Sequence, residues 1–176
     1  FFEPAMDARA KARLTMEQDL RQALADGAFE IHYQPLLDLA SGEVTGCEAL
    51  LRWRHSERGM ISPAEFIPIA EDSGLINQLG LWVLNTACAE AATWPDHVRV
   101  AVNVSPVQFR SQSLALHVAS ALSASGLPAS RLELEITEAV LIRDDEAALE
   151  VLHQLRKLGV RIALDDFGTG YSSLSY

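Results

Sequence analysis

Five oxygen-bearing side chains stand near the ends of four apolar, strand-like runs. They are Glu48 in CEALLRW, Asn103 in VAVNVS, Glu135 in LELEITE, and the pair Asp165–Asp166 in ALDDFGTG. Four strands that each bring an oxygen donor to one edge of a sheet supply what a Mg²⁺ or Mn²⁺ site requires, because hard cations take carboxylate, carbonyl and water oxygens. The pattern points to a metal-dependent hydrolase. Each residue alone has a plainer reading. Glu48 could be a solvated strand end, Asn103 an edge hydrogen bonder, and Asp165–Asp166 a turn ahead of Gly168 and Gly170. Arg52 could pair with a neighbouring carboxylate. Glu133 shares strand parity with Glu135, and its expected role is an ion pair.

The elements that must position these residues follow from periodicity and punctuation. Residues 1–27 read as an approach segment and a helix, with Thr15 and Gln18 at capping-box spacing and Gly27 as the stop. Two strands, 29–37 and 44–53, flank a short turn containing Ser41–Gly42, so an antiparallel hairpin is expected. Ser62–Pro63–Ala64–Glu65 opens a helix to about Asp72, and a second helix covers about 75–93. Strand 98–104 then leads to helix 111–125, strand 132–137 to helix 144–158, and strand 160–165 to a Gly/Ser-rich loop. Alternating strands and helices imply parallel pairing with right-handed crossovers. In strand 98–104 the valines share one face and Ala101 and Asn103 the other. Aliphatic residues outward with small and polar residues inward suit a barrel whose site lies at the C-terminal ends of its strands. A doubly wound sheet gives the same element order.

Composition narrows the classes. The 176 residues are 49% hydrophobic and 22% charged, with a net charge of −10. That describes one ordinary globular domain and argues against a nucleic-acid polymer as partner, since backbone binders need a basic face. A small anionic ligand stays open, because bound cations invert the local charge. Cys47 and Cys88 read as free thiols in a reducing compartment. No run suggests a membrane span or a signal peptide, so a cytoplasmic segment is expected, with any membrane anchor of a longer parent lying outside it. The five histidines show no ligand spacing, and Trp53, Trp82 and Trp94 read as packing rather than a base-stacking platform.

Six motifs in order resemble those of the EAL-domain family of cyclic di-GMP phosphodiesterases: Tyr33–Gln34–Pro35; Glu48–Ala49–Leu50 followed by Leu51–Arg52–Trp53; Phe66 through Glu71; Asn103–Val104–Ser105; Glu135 through Glu138; and Asp165 through Leu174. The resemblance runs from about Phe29 to Tyr176. It implies an α/β fold, a TIM-like (β/α) barrel with an antiparallel first strand, of which about the first five strands are present. It also implies two divalent cations, Mg²⁺ or Mn²⁺, held by Glu48, Asn103, Glu135 and Asp165. Asp165 would bridge the two ions and Asp166 would hold the second, which makes Glu48, Asp165 and Asp166 the catalytic set. Gln34 and Arg52 resemble substrate-contacting positions, and Glu138 resembles an anchor for the loop 166–176, which couples dimerisation to metal binding. The implied reaction is hydrolysis of cyclic di-GMP to linear pGpG in bacterial second-messenger signalling, by a homodimer.

The opening residues, Phe1 to Ala12, resemble the tail of a GGDEF domain and its linker helix. The expected division is therefore 1–28 as a lead-in from an upstream GGDEF-like domain and 29–176 as the N-terminal part of the EAL domain. The family's later lysine, glutamate and glutamine have no counterpart up to Tyr176. The segment alone is therefore expected to be inactive or very weak. Two other readings stand beside the enzyme: a cyclic di-GMP-binding sensor that does not cleave, and an interaction fragment that dimerises through its loop and sheet edge. Outside the family, an enolase- or aldolase-like metal barrel shares the element order.

Overall fold

The computed structural model describes residues 4–111, 113–137 and 146–165. The chain opens with helix α1 (Pro4–Asp26) and a hairpin of β1 (Phe29–Leu37) and β2 (Val44–His55). A short strand β3 (Gly59–Ile61) and helices α2 (Pro63–Asp72) and α3 (Ile76–Ala91) follow. Next come β4 (Arg99–Val104), a single helical turn α4 (Pro106–Phe109) and α5 (Leu114–Ser125). A 3₁₀ turn (Ala129–Arg131) leads into β5 (Leu132–Thr137), and α6 (Glu146–Leu158) precedes β6 (Arg161–Asp165).

The sheet runs β1-β2-β4-β5-β6, with β3 attached to β2. β1 is antiparallel to β2, while β2, β4, β5 and β6 are mutually parallel. Trp53 pairs with Phe29 of β1 and with Ile61 of β3, so those strands flank β2 on opposite edges. The hairpin turn is held by the Asp38 carboxylate, whose Oδ1 accepts from the Ala40 and Ser41 amides at 3.0 and 2.8 Å. Those bonds, that of Ser41 first, hold its carboxyl below the usual range.

Two packed regions hold the elements together. In the larger, α3, α5 and α6 cover one face of the sheet, where Val100, Val102 and Val104 of β4 and Leu132, Leu134 and Ile136 of β5 are buried. This is the parity expected from the sequence: side chains alternate across a strand, so the intervening residues face the other way. In the smaller, Met16, Leu20 and Ala23 of α1 meet Phe29, Trp53, Ile61, Phe66 and Leu79. Trp53 stands edge-on to Phe66, 5.5 Å between centroids. Burying each such large apolar side chain contributes about 1.5–3 kcal/mol. Trp82 and Trp94 pack against the core as well. The buried Arg131 joins these elements through main-chain carbonyls. Its Nε donates to Val98 O at 3.0 Å, and Nη2 donates to Ala91 O at 2.8 Å.

Some local expectations need correction. Thr15 lies inside α1, a continuous helix from Pro4, so it caps nothing; the helix does end before Gly27, at φ 68°. Ser62 precedes α2 in an extended conformation, but its side chain makes no capping bond; its carbonyl accepts from the amides of Glu65 and Phe66 instead. The helix expected from 111 begins at Leu114, after the separate turn α4. Strand β3 was not expected; at three residues it carries too little periodicity to be read.

Candidate metal centre

The face of the sheet opposite the helices carries the expected donors. On β2, Ala49 and Trp53 are buried in the helix-covered core, while Glu48, Leu50 and Arg52 take the other parity and are half-buried. On β4, Asn103 is exposed between two buried valines. On β5, Glu133, Glu135 and Thr137 alternate with buried Leu132, Leu134 and Ile136.

Register sets their heights. Glu48 pairs with Ala101, two residues before Asn103. Asn103 pairs directly with Glu135. Glu135 pairs with Ala163, two residues before Asp165. From β2 to β6 the donor position therefore advances by two residues, then none, then two. Tilted strands of an eight-stranded barrel with a shear of eight shift by about one residue per strand at constant height. The advance follows that stagger, so the four backbone positions lie at about one level, with Asn103 and Asp165 at the ends of β4 and β6 and Glu48 in the first half of the longer β2.

Two of the side chains touch: Asn103 Nδ2 donates to Glu48 Oε1 at 2.8 Å. The bond joins strands whose donors are offset by two residues, and it leaves the amide oxygen as the remaining side-chain acceptor of Asn103. Gln34 is exposed and pairs with Glu48 across the hairpin. Arg52 is half-buried, with Nη1 donating to the carbonyl of Leu51 at 2.9 Å. Glu133 has the expected partner: Arg161 Nε donates to its Oε2 at 3.0 Å, from the paired position on β6. The side chain of Asp165, and all of Asp166, Glu138 and the loop 166–176, lie outside the described residues.

The donors fit a hard divalent cation, being two carboxylates and an amide oxygen on adjacent strands. Among the described residues no three His, Cys, Asp or Glu side chains gather closely enough to hold an ion. A centre on this face therefore depends on the amide of Asn103 and on the end of β6. His55 Nδ1 accepts from the amides of Glu57 and Arg58 at 3.1 and 3.2 Å, and His32 lies 3.2 Å from Glu30.

Beside the donors lie three residues to which the sequence assigns no role. Glu71, Ser105 and Gln108 line a cavity of about 300 Å³ together with Asn103 and Glu135. Ser105 forms a full capping box with Gln108 at the start of α4. The signal was legible as Ser105–Pro106–Val107–Gln108, the S/T-x-x-E/Q spacing.

Comparison with known proteins agrees with this geometry. The EAL domain family model matches residues 17–176. The bifunctional diguanylate cyclase/cyclic di-GMP phosphodiesterase MucR of Pseudomonas aeruginosa is 47% identical over 180 residues, covering 100% of this chain and 26% of that protein. The cyclic di-GMP phosphodiesterase PdeR of Escherichia coli is 43% identical, covering 99% of this chain and 27% of the relative. The chain thus spans about a quarter of the length of these curated relatives. The solved PaMucR phosphodiesterase–c-di-GMP complex superposes with a TM-score of 0.85 at 45% identity, over 90% of this chain and 66% of that one. An EAL enzyme, Bd1971, bound to cAMP and cyclic di-GMP gives a TM-score of 0.88 at 33% identity, over 96% of this chain and 48% of that one. Strand order, antiparallel first strand, inward donors and family match converge: this chain belongs to the EAL domain family.

Proposed function

We propose that the protein containing this chain hydrolyses cyclic di-GMP to linear pGpG, with two divalent cations, Mg²⁺ or Mn²⁺, at the C-terminal mouth of the barrel. The observation that carries the reading is the convergence of Glu48, Asn103 and Glu135 on one sheet face at one level, in a family whose relatives are named for this reaction. Glu48, Asn103, Glu135 and Asp165 would hold the ions, with Asp166 serving the second. Bound cations lower the pKa of a water nucleophile and stabilise charge on the attacking and leaving oxygens. The chain's own residues do the rest. The bond from Asn103 keeps Glu48 on the inner face, Gln34 across the hairpin from Glu48 borders the same site, and Arg52 offers guanidinium donors to a phosphate or guanine. Glu138 anchors the loop 166–176.

We propose that the residues ahead of the family match lead in from an upstream GGDEF-like domain, and that the EAL domain takes in residues 17–176, the second half of α1 included. We propose, on the family resemblance alone, that the parent works in the cytoplasm as a homodimer. Among the described residues no helix is long and apolar enough to cross a membrane.

The test uses the full-length protein with cyclic di-GMP and Mg²⁺ or Mn²⁺, following pGpG by chromatography. Turnover that falls by at least about a hundredfold in Glu48→Ala is expected, the scale on which losing one transition-state-stabilising group acts. Binding without cleavage by the wild type would replace the enzyme reading with the sensor reading.

A further inference from the structure

We infer that Glu71 is a positioning residue for the metal centre: through Ser105 it fixes the end of β4 that presents Asn103. The inference rests on the reading of Asn103 as a metal ligand. Ser105 follows Asn103 by two residues, and its side chain and main chain are all engaged. Its Oγ donates to Glu71 Oε1 at 2.6 Å and accepts from Val107 N at 3.2 Å. Its amide donates to Gln108 Oε1 at 2.9 Å, and its carbonyl accepts from the amides of Gln108 and Phe109 at 2.9 and 3.3 Å. The contact with Glu71 is the one that reaches another region of the fold. At 2.6 Å it has the length of a charge-assisted O–H···O⁻ bond, roughly twice as strong as a neutral one.

Glu71 is half-buried near the end of α2, a helix fixed in the core by Phe66 and Ala70. A strand end would otherwise be free to fray, because its last ladder bonds have no continuation. Here it is tied to a helix by a charged acceptor and to α4 by a buried glutamine, Gln108, only 8% exposed. Glu71 and Asn103 line the same cavity, so the tie acts beside the donors. Outer-shell contacts of this kind set ligand orientation, and losing one costs about 10- to 100-fold in metal affinity or activity.

The test is Mn²⁺ binding to the full-length protein without substrate, followed by titration calorimetry or Mn²⁺ electron paramagnetic resonance, alongside thermal unfolding of the metal-free protein. Glu71→Ala and Ser105→Ala are each expected to weaken Mn²⁺ binding by about 10-fold or more. The double variant is expected to be no worse than Ser105→Ala alone, because that substitution already removes the Glu71 contact along with the cap to Val107 N. Glu71→Gln keeps an acceptor oxygen for the Ser105 hydroxyl and is expected to restore most of the affinity. A purely structural role would lower the unfolding midpoint and leave Mn²⁺ affinity alone, and that result overturns the inference. Losses that add in the double variant, or a Glu71→Gln protein as weak as Glu71→Ala, overturn it too. Should Glu71→Ala fail to fold, Glu71→Asp, which draws the carboxylate back from Ser105 and leaves the cap to Val107 N in place, decides instead. A wild type that binds Mn²⁺ but cleaves nothing sinks the hydrolase reading and leaves this inference to stand or fall on the titration. A wild type that binds no Mn²⁺ sinks both.

Discussion

Tyr33 shows how a residue beside the site can work for the fold. Its ring meets Trp94 edge-on, 5.1 Å between centroids and at 90°. Its hydroxyl is buried with no hydrogen-bond partner among the described residues. Burial first, then the charge of Glu90, pushes the phenol up to about 12 from an ordinary value of 10.0. The folded state therefore holds this proton more tightly than the unfolded chain. Its contribution to stability is complete below pH 10 and is lost as the pH climbs toward 12. Tyr33→Phe removes an unsatisfied hydroxyl and should stabilise the protein at pH 7 by about 1 kcal/mol. Thermal midpoints from pH 8 to 12 should fall less steeply for the variant than for the wild type; parallel curves would refute the assignment. The buried Cys88 thiol, also pushed to about 12 by desolvation, is one of the charges that raise the phenol, so its own titration belongs to the wild-type difference.

At the scale of elements, the close approach of α3 to α4 sets where β4 ends. Gly80 of α3 lies so near α4 that a Cβ there would sit 1.9 Å from Gln108 Nε2. Gln108 is the residue whose Oε1 accepts from the Ser105 amide. A methyl group at position 80 must therefore expel the glutamine and open the capping box. Gly80→Ala, which in an exposed helix would stabilise, is expected here to cost about 1–3 kcal/mol by overpacking. It should also weaken Mn²⁺ binding, since Ser105 loses one of its ties. A variant as stable as the wild type in denaturant titrations would show that the two elements can part without cost. The Arg13–Asp72 ion pair joins α1 to α2 with both side chains more than half exposed, and is expected to contribute little to stability.

For the molecule as a whole, Glu48 and Glu135 crowd like charge onto one face of a chain whose net charge is −10. Cations that bind the folded state alone stabilise it by mass action. In the full-length protein Mn²⁺ at a hundred times its dissociation constant should add about 2.7 kcal/mol to the unfolding free energy, and EDTA should reverse the gain. An unfolding midpoint indifferent to Mn²⁺ would count against a folded-state site. The sequence by itself determined the order of the longer strands and helices, though not β3 or α4, the antiparallel hairpin, and the face on which Asn103 and Glu135 stand, because strand parity and turn chemistry are local properties of the chain. The family motifs determined which donors to look for. Tertiary structure alone decided that a two-residue stagger brings Glu48 and Asn103 to 2.8 Å, that Arg161 answers Glu133, and that Glu71 reaches Ser105 across 34 positions of chain. Register, closeness of helices and hydrogen bonds between distant residues are set when the whole core packs, and no window of sequence contains them.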